Sequence, residues 1–210
     1  DSVVTPVAIA DEVAVVVRPG RPVAVSVRST PREAAPDDAT NLSARAARLF
    51  LERTARRAAV EITLRKQIPA GAGMGGGSSD AAATLRLLNQ LAGAPVPAGE
   101  LARWGLELGA DVPLFMTGGP VRMRGIGELI EPLSLPTLAG AVFVVVFPGV
   151  GLETRHVYAK YDDSLTTEGP ASRVGRFIVD PGPLHEWMEN DLEAAAIQIL
   201  PVLQDLKQQL

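Results

Sequence analysis

The chain has 210 residues, 47% of them hydrophobic, and a formal net charge of -4. That balance suits one sizeable domain or two modest ones with a buried core and excludes a wholly disordered chain. Lys and Arg are scattered with no dense basic block, which excludes the footprint of a nucleic-acid or anionic-membrane binder and leaves a small molecule as the expected partner.

The absence of cysteine removes any disulfide framework, zinc-thiolate site or thiol nucleophile, and fits a reducing, cytoplasmic setting. The opening "VVTPVAIADEVAVVVRPGRPVAVSVRS" places Val at alternate positions around the turn signal "RPGRP", so it reads as several short strands. The polar, Pro-bearing "TPREAAPDDA" reads as a surface loop. Behind a Thr40 or Asn41 cap, helical spacing of apolar residues predicts a helix over 41–56. "AVEITLRKQI" alternates again, predicting a strand that ends at Ile68.

A glycine run then leads into "SSDAAATLRLLNQLAG", a helix stopped by Gly93 and Pro95. A second helix, "PAGELARWGLELG", starts near Pro97 or Ala98 and ends at Gly109, before the turn-like "ADVP". "LFMTGGPVRMRGIGELIEPL" reads as strand, turn, strand. A boundary falls at the proline-containing connection 133–140, ahead of "AGAVFVVVFPGV". That run is too short to span a bilayer as a helix and is rich in β-branched residues, so 141–147 is expected to be a buried strand. "TRHVYAKYDD" and "PLHEWMENDLEAAAIQILPVLQDLKQQL" are helical patterns flanking a polar loop, and Pro201 should divide the second of them.

The run from Pro69 to Ala82, "PAGAGMGGGSSDAA", joins a strand to a helix. Glycine lets the backbone adopt positive φ and approach a ligand, and successive inward N–H groups at a helix start form an anion site. Ser78, Ser79 and Asp80 supply hydroxyl donors and a cap for the first turn. A flexible linker fits this capped context poorly. Gly71, Gly73 and Gly76 satisfy G-x-G-x-x-G, but a dinucleotide-binding oxidoreductase would follow the helix with a parallel strand, and here another helix follows. No Lys follows the last glycine, so the run is not a Walker loop.

The order P-x-G-x-G-x-G-G-G-S-S-[DN]-A-A closely resembles the phosphate-binding motif of the GHMP small-molecule kinases. The triple glycine followed by Ser-Ser-Asp is similar to that of the 4-diphosphocytidyl-2-C-methyl-D-erythritol kinases of the non-mevalonate isoprenoid pathway. "VAIADEV", "NLSARAARLFL", "LGADVPLFMTGG", "GIGELIEPL", "FPGVGLETRHVY" and "NDLEAAA" resemble that family's segments in order.

The resemblance implies an α/β (α+β) GHMP kinase two-domain fold. Its parts would be a ribosomal-protein-S5-like ATP-binding domain over 1–135 and part of a ferredoxin-like domain over 136–210. It also implies ATP-dependent phosphorylation of the 2-hydroxyl of the methylerythritol moiety. Pro69, Ala70, Gly71, Ala72, Gly73, Met74, Gly75, Gly76, Gly77, Ser78 and Ser79 would hold ATP, with Asn41 and Lys66 nearby. Mg2+ would bridge the phosphates with Ser79 as a candidate ligand. By itself Asp111 reads first as a turn or cap residue, and the resemblance reverses that order and assigns it as general base.

By the same resemblance Thr154 and Tyr158, at i and i+4, would line the cytidine pocket; core packing is the other reading of Tyr158. His156 and His185 read as surface or core, Trp104 and Trp187 as core, and Arg122 and Arg124 as a solvent-facing edge that could instead face substrate phosphate. A monomer or weak homodimer, with no nucleic acid and no membrane, completes the expectation. The family's "PAKINL" and "DGYHEL" stretches and its "SGSGPT" segment do not occur here. The chain is therefore expected to be a fragment of a kinase, with a non-catalytic nucleotide-binding relative as the alternative.

Overall fold

The computed structural model describes residues 1–125, 127–138, 140–162, 174–179 and 189–209. They fall into two compact units, a larger one of Val3–Ala70 and Gly75–Leu133 and a smaller one of Asp1–Ser2, Gly71–Met74 and Ser134–Leu210.

The larger unit is built on a three-stranded sheet of β2 (Glu12–Pro19), β3 (Ala24–Thr30) and β4 (Ala58–Arg65), with β4 in the centre. β4 runs antiparallel to β2, from Glu12↔Arg65 to Pro19↔Ala58, and parallel to β3, from Ala24↔Ala59 to Thr30↔Arg65. β2 and β3 adjoin in sequence across the turn at Gly20, yet they do not pair with each other. The parallel β3–β4 pairing needs a crossover, supplied by helix α1 (Leu42–Arg53). Alternation along β4 buries Ala58, Val60, Ile62 and Leu64 and leaves Glu61, Thr63 and Arg65 outward.

Helices α1, α2 (Gly76–Leu91) and α3 (Ala98–Leu108) pack together, and α1 and α2 each also contact the sheet. Ala44, Ala46, Ala47, Phe50 and Leu51 face inward from α1, and Ala81, Ala82, Leu85 and Leu88 from α2. Each fully buried Leu, Ile or Phe stabilises the fold by roughly 1.5–3 kcal/mol through the apolar area removed from water. Trp104 of α3 is buried, as expected, and meets Phe50 edge to face at 6.1 Å while the Arg53 guanidinium lies 5.5 Å from its ring centre. Buried Asn89 of α2 exchanges two hydrogen bonds with the backbone of Val96, 2.9 and 3.1 Å, fixing the α2–α3 connection.

After α3 come a 3-10 turn (Pro113–Met116) and the hairpin of β5 (Val121–Arg124) and β6 (Leu129–Pro132), which forms a second sheet in the order β1-β5-β6 with β1 (Ser2–Val4). Leu114, Phe115 and Met116, expected as strand, lie in the 3-10 turn, because Pro113 starts a helical turn and removes a ladder donor.

The smaller unit contains a 3-10 turn (Pro136–Leu138) and helices α4 (Thr154–Asp162), α5 (Val174–Val179), α6 (Glu193–Ile199) and α7 (Val202–Gln209). Pro201 separates α6 from α7 as predicted. The expected buried strand over 141–147 does not form: Val142 and Val144 are 89% and 79% exposed, and no strand pairs with them among the described residues. β-Branched composition favours an extended backbone, but a strand also needs a neighbour for its N–H and C=O groups. His185, Trp187 and the beginning of the last helical pattern lie outside the described residues. Among the described residues no helix is long and apolar enough to cross a membrane.

Candidate functional site

The glycine loop leaves the central strand of the larger unit. β4 stops at Arg65, three residues short of the predicted end: the Lys66 N–H still bonds to the end of β3, and the two N–H groups after it turn away from the ladder. The Lys66 N–H donates to Thr30 O at 2.8 Å, and those of Gln67 and Ile68 to Asp11 Oδ1 at 2.6 and 2.9 Å. Beyond Pro69 and Ala70, Gly71, Gly73 and Gly75 have φ of +70°, +70° and +66°. This left-handed conformation at every second residue is one that glycine adopts at no steric cost.

Two of these positions also need glycine for space. A Cβ on Gly75 would stand 2.7 Å from the Phe115 ring, and one on Gly71 would stand 2.8 Å from Gly151 Cα. The Gly71 carbonyl accepts from the Leu152 N–H at 3.0 Å, so this contact is backbone on backbone within the smaller unit.

The structure moves the helix start. Ser78, Ser79 and Asp80 were expected to cap it, but Gly75 is the N-cap and no side chain caps the first turn of α2. The left-handed turn at Gly75 lets the helix begin at Gly76, two residues early, and Ser79 N–H already donates to Gly75 O at 2.9 Å. The N–H groups of Gly76, Gly77 and Ser78 precede any intrahelical acceptor, and the positive end of the helix dipole adds to them. Within the larger unit, the left-handed Gly75 followed by an uncapped helix start makes a chemically competent anion site.

Asp80 points inward instead. Asp11, Lys66 and Asp80 form a buried cluster, with side chains 1%, 6% and 3% exposed. The Lys66 ammonium donates to Asp80 Oδ2 at 2.7 Å and is in close contact with Asp11 Oδ2. Asp80 Oδ1 is buried with no hydrogen-bond partner among the described residues. Burial, joined by the Asp11 charge and opposed by Lys66, pushes the Asp80 carboxyl up to about 6. Burial also raises Asp11, but the Ile68 N–H, Lys66 and the Gln67 N–H outweigh it and hold that carboxyl below 3.8. Burial lowers Lys66, and its two carboxylate partners outweigh burial and raise it.

Lys66, expected beside the nucleotide, thus has its ammonium between two carboxylates. Asn41, with the same expectation, is 6% exposed. Its Oδ1 accepts from Ser43 N–H at 2.8 Å as the cap of α1, and its Nδ2 donates to Pro36 O at 2.7 Å. Asp11 and Phe115 carried no role in the sequence reading. Only the antiparallel register Glu12↔Arg65 reveals that Asp11 stands opposite Lys66.

Asp111 is exposed in the turn between α3 and the 3-10 helix of the larger unit. Its neighbour Val112 is fully buried against Gly105, where a Cβ would come within 2.9 Å of Val112 Cγ1, so the turn is pinned from inside. A Cβ on Gly127, from the β5–β6 turn, would lie 3.9 Å from Asp111 Oδ1. In the smaller unit Thr154 and Tyr158 occur one helical turn apart on α4, both exposed; Tyr158, at 51%, is not a core residue. His156 is exposed beside Glu153, and Arg124 pairs with Glu131 across the hairpin. Among the described residues no three acidic or imidazole side chains cluster as a metal site. The half-buried Ser79, next to the uncapped helix start, is a single hydroxyl that could add to coordination supplied mainly by phosphate oxygens.

Residues 41–119 match the family model described as the GHMP kinases N terminal domain. A 4-diphosphocytidyl-2-C-methyl-D-erythritol kinase of Geobacter sulfurreducens is 37% identical over 179 residues, 85% of this chain and 63% of that protein. One of Ralstonia pickettii is 41% identical over 170 residues, 81% of this chain and 56% of that protein. The chain therefore spans less than two thirds of the length of these curated relatives. A crystal structure of a 4-(cytidine 5'-diphospho)-2C-methyl-D-erythritol kinase matches with a TM-score of 0.71 at 33% identity, covering 97% of this chain and 70% of that one. A homoserine kinase from Cytophaga hutchinsonii shares the fold at a TM-score of 0.63 and 21% identity, covering 80% of this chain and 57% of that one.

Proposed function

The chain belongs to the GHMP kinase family, within the group of the 4-diphosphocytidyl-2-C-methyl-D-erythritol kinases, and from that membership we propose that it carries the phosphate-binding and base machinery of a small-molecule kinase. The reaction is transfer of the γ-phosphoryl group of ATP to the 2-hydroxyl of 4-diphosphocytidyl-2-C-methyl-D-erythritol. The observation that carries this reading is the uncapped first turn of α2 entered through the left-handed Gly75.

In this mechanism the N–H groups of residues 71–78 donate to phosphate oxygens, and the dipole of α2 offsets their charge. The Ser78 and Ser79 hydroxyls extend the donor set, with Ser79 the chain's own candidate ligand for a Mg2+ that neutralises phosphate charge. Asp111 accepts the proton of the substrate hydroxyl as its oxygen bonds to phosphorus and the bond to the leaving ADP oxygen breaks. Thr154 and Tyr158 serve the cytidine end, where the exposed phenol ring offers a stacking face. The ATP-binding domain is taken as 1–135 and the substrate-side domain as beginning at 136.

The test is ADP release that depends on 4-diphosphocytidyl-2-C-methyl-D-erythritol, measured on this chain and on the product of its complete reading frame. No dependent release by either sinks the kinase reading. Asp111→Asn should lower kcat by about a hundredfold or more, the usual scale of a lost general base. An unchanged rate would remove Asp111 from the base role.

A further inference from the structure

Burying charge is costly, and a buried ionic cluster that only fills space could be replaced by apolar residues at no loss of stability. The Asp11–Lys66–Asp80 cluster does more than fill space, because its members come from three separate segments that meet at the two ends of the glycine loop. Asp11 precedes β2 and takes the N–H groups of Gln67 and Ile68, where the chain leaves β4 for the loop. Asp80 is on the inward face of α2, which the chain enters from the loop. Lys66 joins the two carboxylates. The ends also touch directly: a Cβ on Gly76 would be 3.0 Å from Ile68 Cγ2 and 3.4 Å from Asp11 Oδ2.

We propose that Asp11, Lys66 and Asp80 are positioning residues that latch the exit from β4 to the start of α2, so that the glycine loop is held closed in its anion-binding shape before any nucleotide arrives. Lys66 thereby acts on phosphate only through the loop and does not contact it. This deepens the kinase reading, and it rests on that reading only in taking the loop as the phosphate site. Pre-organisation gives the latch its chemical value, since a loop already in its bound conformation loses less freedom when the anion binds. Lys66 also suits such a post, because an ammonium with three donors can serve two carboxylates at once.

The latch and a direct phosphate contact by Lys66 make opposite predictions for Asp11. If Lys66 touched phosphate, Asp11→Asn would leave it freer to do so, and ADP affinity would hold or improve. Under the latch, Asp11→Asn and Lys66→Met each weaken ADP binding, measured without added metal, by roughly tenfold or more, the scale of a hydrogen bond to a charged group. The double variant then loses little beyond the worse single variant, because both break one unit. Unweakened ADP binding in Asp11→Asn alongside a loss in Lys66→Met would overturn the proposal, and so would additive losses in the double variant.

Amide hydrogen exchange without nucleotide supplies a readout independent of any kinase activity. Residues 67–79 should exchange faster in Asp11→Asn, while the amides of α3 keep their protection. If Lys66→Met does not fold, the near-isosteric Asp80→Asn gives the same comparison, and Lys66→Arg should restore slow exchange. Failure of the wild-type chain to bind ADP would count against the phosphate reading alone. Unchanged exchange over 67–79 in Asp11→Asn would count against the latch alone.

Discussion

Replacing Gly75 by Ala should destabilise the chain more than replacing Gly73 by Ala, although the two glycines share a backbone conformation. Both have left-handed φ, +66° and +70°, so both substitutions carry the cost of that conformation for an L-residue, about 1–2 kcal/mol. Loss of glycine's freedom in the unfolded chain offsets roughly 0.4–1 kcal/mol of it in each case. They differ in surroundings. A Cβ at Gly73 meets nothing within 4 Å, whereas one at Gly75 meets the Phe115 ring at 2.7 and 2.9 Å. Phe115 packs against the hydrophobic core, so it cannot simply swing into solvent, and overpacking of this kind costs about 1–3 kcal/mol. The expected totals are about 1 kcal/mol for Gly73→Ala and about 2–4 kcal/mol for Gly75→Ala, or some 4–16 °C in Tm for the latter at this chain length. Urea unfolding followed by far-UV circular dichroism reads the difference. In a cycle with Phe115→Leu, the second alanine should cost about 1 kcal/mol less than it does beside the full ring. Equal losses at positions 73 and 75, or strict additivity in the cycle, would refute the steric argument.

Three further outcomes follow from geometry elsewhere. Asp80 holds its proton up to a pH of about 6 in the fold against 3.8 ordinarily, so the folded chain binds more protons than the unfolded one between those values. At about 1.4 kcal/mol per pH unit its contribution, present in full below pH 3.8, fades by about 3 kcal/mol as pH rises through 6. Thermal melts of Asp80→Asn should lack this decline; parallel curves for variant and wild type would reject the assignment. Asn89→Ala strips both partners from the Val96 backbone and should cost about 2–4 kcal/mol in urea unfolding, each buried group left unpaired costing about 1–3. A cost below about 0.5 kcal/mol, the scale of an ordinary surface change, would mean that water replaces the side chain. Val144→Lys, at a position 79% exposed, should change stability by less than about 0.5 kcal/mol while raising solubility in a precipitation assay. A large loss of stability there would show that Val144 is packed.

The sequence makes α1, α3 and its glycine loop legible because those features are local, whereas α5 lies between the two expected helical patterns, where a polar loop was expected. The Asn41 cap, the apolar spacing behind it and Gly109 at the end of α3 each act within a few residues, and α1 and α3 begin and end within a few residues of the predicted limits. Strand partners are not local. Nothing in "VVVRPGRPVAV" discloses that β4 comes between β2 and β3, or that this register brings Asp11 to Lys66. Asp80 was assigned to the cap because Ser and Asp favour helix starts. A left-handed Gly75 displaces the start by two residues and, with a period of 3.6, turns Asp80 from the rim to the interior. Residues 141–147 illustrate a third limit: paired and unpaired extended segments draw on the same β-branched residues, and only the neighbour tells them apart.

The meeting of Gly71 and Gly151 has an evolutionary side. At most loop glycines an alanine is tolerated whenever the backbone can relax, but here the missing side chain of one residue is the room occupied by the main chain of the other, held by the Leu152 N–H on the Gly71 carbonyl. Position 71 cannot drift by itself. A lineage that acquired a side chain at 71 would first have to shift the backbone at 151, so the glycine loop depends on a segment far away in the gene. In a deep mutational scan position 71 should tolerate substitution poorly, because its neighbour there is main chain that cannot swing aside.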